Sequence, residues 1–134
     1  MIRVNRSRST WKERIRAHYA GVVRQPEVQL LWWEGCPSTE RALAELREAL
    51  QDVGLASEVR LREITSDERA IEEGFTGSPT ILIDGDDVAP DPSEPVGLSC
   101  RVYRRRDGRI SPTPDPDDLR EALRRAAERV EVSR

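Results

Sequence analysis

The stretch Val28–Thr39, Val-Gln-Leu-Leu-Trp-Trp-Glu-Gly-Cys-Pro-Ser-Thr, constrains this chain more than any other. A nearly continuous apolar run ends at Glu34-Gly35, a cysteine stands at the turn, and a helical pattern starts straight after Pro37. A strand apolar on both faces belongs in the centre of a sheet with helices on each side. The stretch reads as strand, cysteine, helix, with Cys36 at the N-cap and Pro37 at the first helical position, where its missing N–H costs nothing. Backbone N–H groups and the positive end of the helix dipole then favour thiolate over thiol at Cys36, with nearby Glu34 opposing them. Cys36 is the expected reactive atom.

The rest of the chain alternates helix and strand signals around this stretch. Leu43, Leu46, Ala49, Leu50 and Val53 recur at helical spacing, and Gly54 ends that helix. From Ser57 to Ile64 the pattern has period two, Val59 and Leu61 opposite Arg60 and Arg62, which suits an edge strand. Ser66 and Gly74 bracket a short helix. Thr80–Ile83 reads as a buried strand that stops at Asp84-Gly85. Residues 84–97 are rich in proline and carry five carboxylates, so they are expected to form a long loop, not a tight hairpin. The order of those carboxylates does not match a calcium-binding loop. Leu98–Tyr103 is expected to return as a strand with Leu98, Cys100 and Val102 on one face. Asp115 and Pro116 open a final helix whose buried stripe is Leu119, Ala122, Leu123, Ala126 and Val130. Ahead of everything, Thr10 and Glu13 form a capping box, and Trp11, Ile15, Tyr19 and Val22 make an amphipathic helix. His18, the single histidine, reads as a surface or packing residue on that helix.

Composition sets the outer bounds. At 134 residues, 37% hydrophobic and 35% charged, the chain suits one small domain with a strongly solvated surface. It has no apolar run able to span a bilayer and no signal-peptide pattern, so a cytoplasmic protein with no membrane partner is expected. Two cysteines 64 residues apart do not make a secreted disulfide framework. The net charge of −3 conceals an asymmetry, because residues 1–26 hold seven Lys or Arg against the single acid Glu13. A basic arm of this kind can meet nucleic acid, but the acidic body carries no nucleic-acid motif, and nucleic acid is not the expected partner.

Two motifs together give a resemblance. Cys36-Pro37-Ser38-Thr39 resembles the active-site turn of the thioredoxin-like superfamily in the Cys-x-x-Thr or Cys-x-x-Ser form of monothiol glutaredoxin-like proteins. Gly77-Ser78-Pro79-Thr80-Ile81, with Pro79 placed 43 residues after Cys36, resembles the segment that carries the superfamily's cis-proline. The likeness covers residues 27 to about 130. It implies an α/β, thioredoxin-like βαβαββα three-layer fold over residues 27–134, here preceded by a basic extension, residues 1–26, with its extra helix. It implies a cis Ser78–Pro79 bond, a nucleophilic Cys36 for thiol–disulfide exchange, and a substrate groove built from Trp33, Pro37, Thr39, Ser78, Pro79 and Thr80. Its substrate would be a thiol or disulfide, small molecule or protein, with no resident cofactor or metal and with glutathione as the candidate co-substrate.

Thr39 stands where a dithiol member has its second cysteine, so no disulfide can form within the turn. Cys100 is then either a small buried hydrophobe or a second catalytic cysteine that forms a reversible disulfide with Cys36 or joins it on a soft metal. Strand spacing places Cys100 two strands away, so a direct bond is expected to need local movement. The wider pattern Trp-Trp-Glu-Gly-Cys-Pro, Gly-Ser-Pro-Thr and Gly-Leu-Ser-Cys-Arg-Val-Tyr is also similar to bacterial thioredoxin-like proteins labelled for organomercurial handling, some as alkylmercury lyases. Three function classes follow: a thiol oxidoreductase, a mercury-handling protein and a non-catalytic binding module. Trp32 and Trp33 are both expected in the core.

Overall fold

In the computed structural model, which describes residues 25–129, Val28–Trp32 forms β1 and its first four residues are buried. There follow α1 (Thr39–Asp52), β2 (Val59–Glu63), α2 (Asp67–Glu73), β3 (Thr80–Ile83), β4 (Asp86–Asp87), β5 (Tyr103–Arg104), β6 (Ile110–Ser111) and α3 (Pro116–Ala127). The basic extension through residue 24, its helix from Thr10, His18, and Val130 at the far end lie outside the described residues.

The sheet has the order β2-β1-β3-β4, with β1 parallel to β2 and antiparallel to β3. Successive residues of β1 point to opposite faces, and each face has its own core. Val28 and Leu30, with Ile81 and Ile83, pack against Leu46 and Leu50 of α1 and Leu119 and Leu123 of α3. Leu31 joins Ile64, Ala70 of α2 and Phe75 on the other face. The result is a mixed α/β structure in three layers, two helices over one face and one over the other. Among the described residues no helix is long and apolar enough to cross a membrane.

Local chemistry closes the helices as the sequence predicts. The Ser66 hydroxyl accepts from the Arg69 N–H at the start of α2, and Asp115 accepts from the Asp117 N–H at the start of α3. Gly54 and Gly74 follow α1 and α2 with positive φ.

Two expectations about residues 84–103 need correcting. The chain turns back at once after β3: Ile83 pairs with Asp86 and Leu82 with Asp87, so Asp84-Gly85 is a two-residue hairpin turn and not the start of a long loop. Asp84 has φ 52° and Gly85 φ 86°, the positive pair that a type I′ turn requires. Strand β4 thereby occupies the place beside β3 that Leu98–Tyr103 was expected to fill. Only Cys100 makes a strand-like bridge, parallel to Ser78, and Tyr103–Arg104 pairs instead with Ile110–Ser111 in a separate hairpin. Leu98 is half-buried while Cys100 and Val102 are exposed, so the three do not share a buried face.

Candidate active site

The turn before α1 is tighter than the sequence suggests. The Cys36 N–H donates to the Trp33 carbonyl at 3.0 Å, and a residue before proline avoids helical backbone. The helix therefore begins two residues later than expected, with Ser38 as N-cap and Thr39 as its first residue. Cys36 is not the N-cap. Its Sγ still accepts one backbone amide, the Ser38 N–H at 3.4 Å. Pro37 is exposed and Thr39 half-buried, with its Oγ1 enclosed and without a partner among the described residues.

The second half of the site comes from residues 99–101. The Ser78 N–H donates to the Ser99 carbonyl at 2.7 Å and the Arg101 N–H donates to the Ser78 carbonyl at 2.8 Å, which lays Cys100 alongside Ser78 just before β3. The Ser78–Pro79 peptide is cis, as expected. Trp33 closes the arrangement from the other side: its Nε1 donates to the same Ser99 carbonyl at 2.9 Å, and its ring lies over Gly35, where a side chain would collide with it. Both tryptophans are half-buried. Strand β1 ends at Trp32, so Trp33 escapes the alternation that would have sent it into the core.

These contacts bring the two cysteines together. Although the residue is exposed, partial desolvation pushes the Cys100 thiol above its ordinary range, and the charge of the neighbouring Cys36 and contact with it push it further. Both sulfurs are free. The expectation that the cysteines stand two strands apart is corrected, because Cys100 lies not in a sheet strand but in the segment that bridges Ser78 beside the turn.

A buried arginine holds that segment in place. Arg101 is 3% exposed; its guanidinium donates to Asp87 Oδ2 at 2.7 Å, the Ala89 carbonyl at 2.7 Å and Thr80 Oγ1 at 3.2 Å, and it stacks over the Tyr103 ring at 4.4 Å. Tyr103 in turn donates to the Pro79 carbonyl. Gly77 makes the close packing possible, since a Cβ there would sit 2.8 Å from Arg101 Cγ and 3.1 Å from the Ser99 carbonyl oxygen. The sequence assigns no role to Asp87, and Ser99, Arg101 and Tyr103 enter there only as members of the Gly-Leu-Ser-Cys-Arg-Val-Tyr pattern. Of the predicted groove residues, Ser78, Pro79 and Thr80 are buried, and the Thr80 hydroxyl is committed to the Gly77 carbonyl at 2.6 Å. Thr80 thus builds the site from behind, whereas Trp33 and Pro37 border it.

A cleft of about 460 Å³ is lined by Trp33, Glu34, Gly35, Glu63, Ile64, Thr65 and Leu98, and it meets the turn at Gly35, the residue before Cys36. Among the described residues no three His, Cys, Asp or Glu side chains gather in a metal-binding group. No family model, curated protein or solved structure matches this chain.

Proposed function

We propose that this chain is a thioredoxin-like thiol–disulfide oxidoreductase whose two working cysteines come from separate parts of the chain. The observation that carries the reading is the neighbouring, unbonded pair Cys36 and Cys100. The strand order β2-β1-β3-β4 and the cis bond entering β3 support the thioredoxin-like assignment.

In this mechanism the Cys36 thiolate attacks one sulfur of a substrate disulfide RS–SR. A Cys36–SR bond forms, the S–S bond breaks, and the first thiolate leaves and takes up a proton. Cys100 then gives up its own proton and attacks the Cys36 sulfur, which closes a Cys36–Cys100 disulfide and expels the second thiol. The substrate gains two electrons and two protons, and the protein loses them. Cys36, whose Sγ accepts the Ser38 N–H, makes the first attack, and Cys100 makes the second. Thr39 has no sulfur and cannot perform the second step. A dithiol reductant or a glutathione-like thiol must restore the reduced pair.

Thiol release against a small neutral disulfide tests the proposal. The reduced protein is expected to release two thiols per chain, Cys100→Ser one, and Cys36→Ser none at neutral pH on the same timescale. Single release from the wild-type chain, or release by Cys36→Ser, contradicts it. Two neighbouring thiolates also suit a two-coordinate soft cation, so mercury handling is the second reading, and a mercury-release assay separates the two.

A further inference from the structure

The cleft that meets the turn at Gly35 has a definite character. Trp33, Ile64 and Leu98 give it apolar walls, and among the described residues the only charged groups lining it are the carboxylates of Glu34 and Glu63. Neither carboxylate makes an ion pair among the described residues, and no Lys or Arg lines the cleft. The adjacent Arg62 is already engaged, with Gln29 at 3.0 Å and with Glu73. Gly35 of its lining directly precedes Cys36, and Trp33 of its lining donates to the Ser99 carbonyl next to Cys100, so the cleft reaches the segments that carry both cysteines. Its volume falls in the range of small-molecule sites, on the order of 300–1,000 Å³. An indole face adds attraction for a cation.

We infer that this cleft selects disulfides carrying a cationic group next to the sulfur, and disfavours the net-anionic glutathione disulfide. The inference rests on the thiol–disulfide reading proposed above. Glu34 lines the cleft together with Gly35, the residue before Cys36, so a substituent of the attacked disulfide that enters the cleft meets its charge. Two carboxylates with no ion pair among the described residues attract an ammonium or guanidinium there and repel a carboxylate, over the roughly 8 Å that physiological salt leaves unscreened. The recognised chemistry is the cation beside the disulfide. It is met by a small diamine disulfide or by a polypeptide cysteine next to Lys or Arg. The chemical step is unchanged: Cys36 attacks the sulfur, Cys100 closes the protein disulfide, and two thiols depart.

The test compares rates of reduction of cystamine, a Lys-flanked cysteine peptide disulfide, a neutral hydroxyethyl disulfide and glutathione disulfide. Each rate is divided by that of a small neutral thiol with the same compound, which removes differences in leaving-group acidity. We expect the cationic compounds to be reduced about 10- to 100-fold faster than glutathione disulfide at low salt, a range typical of electrostatic steering. The ratio should collapse toward unity in about 1 M salt, where the screening length is about 3 Å. It should fall at least about fivefold in the Glu34→Gln/Glu63→Gln double variant, and invert in Glu34→Lys/Glu63→Lys. Preference for cystamine alone assigns the cleft to small amines, and equal preference for the peptide assigns it to basic polypeptide segments. A ratio that is the same in all three proteins overturns the inference while leaving the oxidoreductase reading intact. Failure of the wild-type protein to reduce any of the four disulfides faster than the free thiol overturns both.

Discussion

Replacing Arg101 by Ala removes a buried side chain that ties the Cys100 segment to the sheet. Three acceptors lose their donor: Asp87 Oδ2 at 2.7 Å, the Ala89 carbonyl at 2.7 Å and Thr80 Oγ1 at 3.2 Å. Breaking a buried ion pair by removing one partner costs about 3–5 kcal/mol. The Asp87 side chain keeps 22% of its surface in water, which places this pair at the lower end, near 3 kcal/mol. The stacking on Tyr103 adds about 1 kcal/mol, and because these contacts share one side chain they do not simply sum. A total of about 3–4 kcal/mol is expected from urea unfolding, with an unchanged slope. Arg101→Lys keeps the charge but cannot reach Asp87 and Ala89 as a fork, so roughly half that loss is expected. The functional counterpart is specific: Arg101→Ala should slow release of the second thiol far more than the first, because the first step needs only Cys36. A stability loss under about 1 kcal/mol, or equal slowing of both steps, refutes the role assigned to Arg101.

Gly77→Ala should cost about 3 kcal/mol in the same unfolding assay, from its φ of 126° and the collision with Arg101, whereas Gly108→Ala, with φ 90° but open space, should cost only about 1 kcal/mol; equal losses would show that the close approach does not matter. Partial desolvation raises Cys100 and so does Cys36, so Cys36→Ser should lower the pH midpoint of Cys100 alkylation partway toward an ordinary thiol, and an unchanged or higher midpoint would show that the sulfurs do not interact. Asp115 is held below the usual carboxylate range chiefly by the Arg106 backbone N–H. Its contribution to stability is therefore present above pH about 4 and lost as pH falls further, and Asp115→Asn should lack that part of the acid sensitivity when unfolding is followed against pH. Asp115→Ala should cost about 1–2 kcal/mol at neutral pH as a lost helix cap.

What could be read from sequence was whatever depends on local period and local caps. The stripe Leu46, Ala49, Leu50 and the stripe Leu119, Leu123, Ala126 are buried because helical spacing alone gathers them on one side. Ser66, Asp115 and the glycines after the first two helices act through groups only a few residues away. The Cys36–Thr39 turn was placed, but its register was not. Pro37 fits a first helical position and an ordinary turn equally well, and the choice was made by the Cys36 N–H reaching back to Trp33. Leu98–Tyr103 misled for another reason. Its alternation marks Arg101 as the solvent side, and nothing local says that an arginine there will be buried. That outcome depends on Asp87 and Tyr103, which the fold alone brings to it. Asp84-Gly85 carried the hairpin signal openly, and the acidic, proline-rich run behind it pointed the other way. The pairing of the two cysteines follows from these tertiary decisions and had no signal of its own.

The central claim is that Cys36 and Cys100 act as one redox couple. The most direct test adds one equivalent of a small disulfide to the fully reduced protein, traps free thiols with acid and an alkylating agent, and maps peptides by mass without reduction. A Cys36–Cys100 cross-link should dominate, with little small-thiol adduct on Cys36, and the adduct should accumulate only in Cys100→Ser. Persistent adduct on Cys36 in the wild-type chain, at the level seen in Cys100→Ser, would contradict the account.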